Sequence, residues 1–116
     1  MSSLLIETAR QLEAYFDGEI KLFSLPLAPA GTAFQRRIWR AVHGIPYGAT
    51  TTYGAIATAW GTSPRAVAFA CAHNPLPIIV PCHRVIGAGG ALTGYSAGEG
   101  IVTKAALLRL EGAIPW

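Results

Sequence analysis

The sequence is poor in cysteine and poor in charge, and both shortages narrow what it can be. Cys71 and Cys82 are its only cysteines, eleven residues apart. That is no disulfide framework of a small secreted domain, and a reducing cytoplasm is the expected setting. Charged residues make up only 13% of the 116, against 52% hydrophobic, a balance that fits one folded domain and not a disordered chain. No apolar run approaches the length of a membrane span, so no membrane role is expected. The opening MSSLLIETARQLEAYF carries acids and helical spacing where a signal peptide has a basic region and a cleavage site. Repeats are absent, and no linker follows residue 31. Cys71, His73, Cys82 and His83 are the only cluster of metal-binding side-chain types. Their spacing lacks the C-x₂₋₄-C and H-x₃₋₅-H patterns of zinc sites, so no metal is expected. The GAGG stretch leads into a turn and not a strand–helix junction, which excludes a dinucleotide fingerprint. No cofactor is expected.

What charge there is falls unevenly. Residues 1–19 set Arg10 against Glu7, Glu13, Asp17 and Glu19, a net −3. Residues 20–116 hold Lys21, Arg36, Arg37, Arg40, Arg65, Arg84, Lys104 and Arg109 against Glu99 and Glu111, a net +6. A basic body suits a polyanionic partner, although a solvated basic surface explains it equally well.

Helical spacing predicts a first helix over 3–16 with Leu5, Leu12 and Phe16 on its apolar face and Gly18 beyond it. Pro26 and Pro29 keep 22–31 extended. A second helix follows the N-cap Thr32, with Phe34, Ile38 and Val42 as its stripe and Gly44 as its stop. A third carries Tyr53, Ile56, Ala57 and Trp60 on one face and ends at Gly61; a fourth starts from Ser63 and Pro64. Only Gly61, Thr62 and Ser63 separate these two, the pattern of a helix-turn-helix or of an ordinary helical hairpin. Ile78, Ile79 and Val80 read as a short buried strand between prolines. A turning glycine-rich segment follows, with a hairpin expected around Ala88–Gly90. A last helix over 102–110 is expected to bury Ala106, Leu107 and Leu110.

Cys82 stands out chemically. A lone cysteine is usually inert packing, but Pro81, His83 and Arg84 are poor company for a core position. His83 and Arg84 are expected to supply positive potential that favours the thiolate, whereas Cys71 sits among Phe69, Ala70 and Ala72, a setting that favours the neutral thiol. If the strand ran on through Cys82 and His83 their side chains would diverge, so a turn or a bridging water is needed to couple them. Glu111 is a candidate to orient the imidazole, against the plainer reading of a solvated acid at a helix end.

NPLPIIVPCHRVIG resembles the active-site signature of the O6-alkylguanine-DNA alkyltransferases, the methylated-DNA–protein-cysteine methyltransferases. GTAFQRRIWRAVHGIPYGATTTYGAIA, PRAVAFACAHNP, LTGYSAG and LLRLEG extend the likeness over about residues 7–112. The resemblance implies a mainly α, winged helix-turn-helix-like DNA-binding domain with a short β-strand or hairpin element. Residues 1–31 would be the linker helix and extended lead-in, and 32–116 the alkyltransferase domain proper. The likeness starts at the helix that follows the family's amino-terminal sheet domain, where some relatives bind a structural zinc.

The implied activity is single-turnover transfer of an alkyl group from O6 of guanine, or O4 of thymine, to Cys82. By the same resemblance His83 acts through a water as base, Glu111 holds the imidazole, Asn74 braces the turn and Tyr53 donates a proton to the leaving guanine. Arg65 enters the duplex from the minor groove in place of the flipped base, and Ala66, Thr52 and Arg84 join it at the DNA. Val85, Tyr95, Ser96 and Ala97 line the base pocket above Cys71. The partner is double-stranded DNA, and the protein a monomer. Two departures stand out: the turn in GTSPRAV is about two residues shorter, and GYSAGEGIVTK about two longer, than the common pattern. A second class, the alkyltransferase-like proteins, binds such lesions without repair and has Trp in place of the acceptor cysteine. A generic winged helix would have no use for Cys82 and His83.

Overall fold

The structure is a computed structural model that describes residues 2–26, 28–95 and 97–115. Helix α1, Ser3–Phe16, is capped by the Ser2 hydroxyl. Its buried line is Gln11, Ala14 and Tyr15, while Leu5 and Phe16 are exposed, which corrects the expected apolar face. The reason lies in what α1 packs on. Gln11 turns inward to bond both backbone groups of Ser24 (2.9 and 3.1 Å), pinning the extended lead-in alongside the helix.

Helix α2, Ala33–His43, starts with a reciprocal capping box between Thr32 and Gln35. Ile38, Trp39 and Val42 enter the core. The Trp39 indole N–H donates to the Ala70 carbonyl (2.9 Å) and so ties α2 to the fourth helix. Strand β1, Thr51–Thr52, runs directly into α3, Tyr53–Trp60. Thr52 caps α3 through its hydroxyl, and Gly61 ends it in the left-handed conformation (φ 67°). Tyr53, Ile56 and Ala57 are buried, but Trp60 is exposed, with Arg37 over its ring at 5.3 Å. Helix α4, Pro64–Ala72, opens from a Ser63 cap with proline in its first turn and buries Val67, Ala70 and Cys71. The α3–α4 pair, with its short left-handed turn, has the helix-turn-helix form.

The segment Ile78–Val80 is not a strand. It is a turn closed by a bridge between Pro77 and Val80, and Ile78 adopts φ 76°, a strained value for a β-branched residue. Prolines at 75, 77 and 81 remove donors that a ladder would need. A 3₁₀ turn, Cys82–Arg84, follows and delivers the chain into β2, Val85–Ile86. β2 pairs in parallel with β1, Thr51 against Val85 and Thr52 against Ile86. No hairpin ladder forms there, since β2 takes its partner from non-local β1; Ala88–Gly90 is a 3₁₀ turn closed by Gly90 N–H on the Gly87 carbonyl (3.2 Å), and Gly87 N–H donates to the Ala91 carbonyl across its base (2.7 Å).

Helix α5, Ile101–Leu110, buries Lys104, Leu107 and Leu108. Ala106 and Leu110 face outward, contrary to expectation. The architecture is mainly helical with one two-residue parallel pair. Among the described residues no helix is long and apolar enough to cross a membrane.

Candidate active site

The site is built where the 3₁₀ turn meets α3, α4 and α5. Pro81 leads into the turn, and the Cys82 and Arg84 amides donate to Val80 (2.8 Å) and Pro81 (2.9 Å). The turn winds Cys82, His83 and Arg84 inward together, and all three are buried. Asn74 braces the approach: its amide donates to the Val80 carbonyl (2.8 Å) and its oxygen accepts from Leu76 N–H (2.9 Å).

Glu111, the residue that ends α5, sits behind the turn and is buried. Its Oε2 accepts from His83 Nε2 (2.8 Å), Arg84 Nη2 (2.9 Å) and Tyr15 Oη (2.6 Å), and its Oε1 accepts from Arg84 Nε (2.8 Å). Burial alone would raise its pKa. The hydrogen bonds from His83, Arg84 and Tyr15 overcome that and bring it down to about 2. An ionised carboxylate only accepts, so His83 Nε2 carries the proton. Burial lowers the His83 pKa against the pull of Glu111, so the ring is neutral at neutral pH. Nδ1 is then an unprotonated base, and it has no hydrogen-bond partner among the described residues.

Arg84 is a correction. Expected at the DNA, it is buried, with its guanidinium divided between Glu111 and the Ile45 carbonyl (2.8 Å). Nor do Arg84 and a neutral His83 supply the positive potential expected at the thiol. Cys82 and Cys71 interact as a pair. The contact with Cys71, followed by burial, pushes the Cys82 thiol up, while the contact with Cys82 draws Cys71 down. The pair loses its first proton more readily than an ordinary thiol and its second far less readily. The cation that acts on both sulfurs is Lys104. Cys71 is thus no inert thiol in an apolar setting.

Lys104 was not anticipated. It is fully buried, and its Nζ donates to the carbonyls of Val85 and Thr93 and to Tyr53 Oη (3.2 Å). Burial brings its pKa down to about 8. The Tyr53 hydroxyl in turn donates to the Thr93 carbonyl (2.7 Å), and burial pushes its pKa up. Gly94 permits this approach: a Cβ there would lie 2.6 Å from Tyr53 Oη, and its φ is 76°. The Tyr95 hydroxyl is buried and has no partner among the described residues, and burial raises its pKa to about 12.

Several assigned residues therefore converge: Cys82, Cys71, His83, Glu111, Tyr53, and Asn74 and Val85 on the segments flanking the turn. Ala97 is half-buried, and its carbonyl accepts from Gly100 N–H (3.0 Å). Ser96 lies outside the described residues. Arg65 is exposed in the first turn of α4 and stands apart from this cluster, beside the half-buried Ala66, whose N–H goes to the Ser63 cap (3.1 Å). The Thr52 hydroxyl is engaged in capping α3 (3.0 Å to Ala55 N). Tyr15 and Lys104 were missed. Each had one signal, a polar side chain in register with a buried line: Gln11, Ala14, Tyr15 on α1, and Lys104, Leu107, Leu108, Glu111 along α5.

Comparison with known proteins gives this arrangement a context. Residues 33–113 match the family described as 6-O-methylguanine DNA methyltransferase, DNA binding domain. The chain is 57% identical over 109 residues to the methylated-DNA–protein-cysteine methyltransferase of Methanosarcina acetivorans, covering 92% of this chain and 69% of that protein. It resembles the crystal structure of Mycobacterium tuberculosis OGT in complex with DNA at TM-score 0.85 and 53% identity, covering 92% of this chain and 66% of that one. It also resembles S. pombe Atl1 in complex with damaged DNA containing O6-carboxymethylguanine, at TM-score 0.60 and 34% identity, over 68% of this chain and 75% of that one. The chain spans 61–69% of the length of the curated relatives it matches. With the cysteine turn, the helix-turn-helix and these likenesses in agreement, the chain belongs to the 6-O-methylguanine DNA methyltransferase family.

Proposed function

We propose that this chain repairs DNA by moving an alkyl group from O6 of guanine onto Cys82, once per molecule. The observation that carries the reading is His83: its Nε2–H is committed to ionised Glu111, which leaves Nδ1 as a neutral base on the same turn as a buried cysteine. The O6 of a paired guanine is hidden in the stack, so the base must leave the helix at a cost of a few kcal/mol. Arg65, at the start of α4, would enter from the minor groove and offset part of that cost. The flipped base would rest among Val85, Tyr95 and Ala97, with Cys71 beneath.

The proton of the Cys82 thiol passes through a water to His83 Nδ1. The thiolate attacks the alkyl carbon, the carbon–O6 bond breaks, and its electron pair returns to the purine. Tyr53 gives the guanine a proton, which improves the leaving group. The Lys104 hydrogen bond to Tyr53 Oη favours the phenol's charged form while that proton is away. The thioether formed has no route back to a thiol here, so one chain handles one lesion. O4-alkylthymine offers the same electrophilic carbon and is the second expected substrate. The protein is expected to act as a monomer.

Lesion binding without transfer is the second reading, favoured by the likeness to Atl1; the presence of Cys82 separates the two. Intact-protein mass after incubation with O6-methylguanine duplex tests both. A gain of one methylene, saturating at one per chain and mapping to Cys82, is the expected result. Tight lesion binding with no mass gain would establish the second reading.

A further inference from the structure

Glu111 Oε2 accepts three hydrogen bonds, and the shortest comes from farthest away in sequence: Tyr15 Oη at 2.6 Å, 96 residues distant. Tyr15 is fully buried. Its ring packs against Phe16, Phe23 and Tyr47 with centroids 5.3, 5.5 and 6.1 Å apart. Phenylalanine would serve that packing without a hydroxyl to desolvate, so the hydroxyl marks a second role. It lies outside the stretch that matches the family.

We infer that Tyr15 is a positioning residue of the transfer site, so that α1 completes the Glu111–His83 pair and does not merely precede it. The inference rests on the proposed transfer reaction. Two donors, Tyr15 and Arg84 Nη2, share Oε2 with the imidazole N–H and limit how strongly that oxygen can hold it. Tyr15 thereby keeps the carboxylate aimed at His83 and keeps His83 from becoming too basic to release its next proton. The groups that face this pair are Tyr15 from α1, Arg84 from the turn, Lys104 from α5, and Tyr47, whose ring lies 5.7 Å from the Arg84 guanidinium. Only the first is altered by the variants below.

The test uses the full chain and two readouts: the NMR titration of the His83 ring, and the pH profile of methyl transfer from an O6-methylguanine duplex to Cys82. In Tyr15→Phe, Oε2 has one donor fewer and binds the imidazolium more strongly. His83 should then titrate at higher pH, and the acid limb of the rate should move the same way, with a loss of about threefold on the limb. A 3-fluorotyrosine at position 15 keeps the shape with a more acidic hydroxyl and should move both readouts to lower pH, which covers the case of a Tyr15→Phe chain that does not fold. An unmoved His83 titration with a lower melting temperature would overturn the inference and leave Tyr15 as a packing contact. If the wild-type chain transfers nothing, the reaction falls, and the titration alone still decides whether Tyr15 governs His83.

Discussion

Lys104 Nζ donates to the Tyr53 hydroxyl at 3.2 Å in a place where both side chains are buried. Lysine is rarely found so deep without a partner anion. Here three oxygens, those of Tyr53, Val85 and Thr93, take its protons, and two thiols lie in its field. Lys104→Gln should slow alkyl transfer by about tenfold or more, because Tyr53 loses the donor that supports its charged form. The same change should raise the first ionisation of the thiol pair, read from thiolate absorbance against pH. An unchanged thiol titration would show that Lys104 only holds the loop at Thr93.

Glu111→Gln should slow transfer without abolishing it, since the carboxylate never touches the alkyl group. It should also destabilise the fold by about 3–5 kcal/mol, because Arg84 is left buried without its counter-charge. The pH sign follows from the depressed pKa, 4.5 in the unfolded chain and about 2 in the fold. Stability from Glu111 is fully present above the unfolded value and is lost as pH falls through the window down to about 2. Denaturant melts across that window should show a steep loss in the wild-type chain and a shallower one in Glu111→Gln.

The two thiols should answer for each other. Removing either one takes away the S–H that eases the first ionisation of its neighbour. The remaining thiol of Cys71→Ala or Cys82→Ala should then ionise at higher pH than the first step of the pair. Iodoacetamide labelling across pH reads this directly; identical profiles in pair and single thiol would remove the coupling. Cys82→Ala should keep lesion-duplex affinity and lose all transfer.

Arg65→Ala should weaken repair of duplex DNA more than reaction with the free modified base, since only the duplex requires the base to be extruded. Binding of both chains should fall with rising salt, as phosphate contacts release counterions. Equal losses on duplex and free base would make Arg65 a structural residue.

The helix-turn-helix was legible because its punctuation is local. Thr52 and Ser63 as caps, Pro64 in the first turn and Gly61 as a left-handed stop each act within a few residues. The faces of α1 and α5 were misjudged for the opposite reason. Gln11, Tyr15 and Lys104 are buried by partners on distant segments, so counting apolar residues placed Leu5, Phe16, Ala106 and Leu110 inside. The Ile78 turn was mistaken for a strand because apolar, β-branched residues fit either; only φ distinguishes them. The Thr51–Val85 ladder spans too much chain for any periodicity to announce it. Cys82, His83 and Glu111 stood out from their neighbours and spacing and took their roles from a resemblance, but the direction of thiol coupling and the inward turn of Arg84 needed coordinates.

The span from Tyr15 to Glu111 also sets a timetable. A chain leaves the ribosome from its amino end, and helices with near neighbours in sequence form early while distant contacts wait. Tyr15 emerges before α2 to α4, the cysteine turn follows them, and Glu111 comes after all of these. Until that residue arrives, Arg84 has no counter-ion to bury and His83 no anchor for its ring. The nascent chain thus holds Cys82, the proposed nucleophile, before it holds the carboxylate that fixes His83. On the proposed reading, a thiol that can be used only once would stay unaided until Glu111 is in place, and so would be kept from being spent before the site is whole.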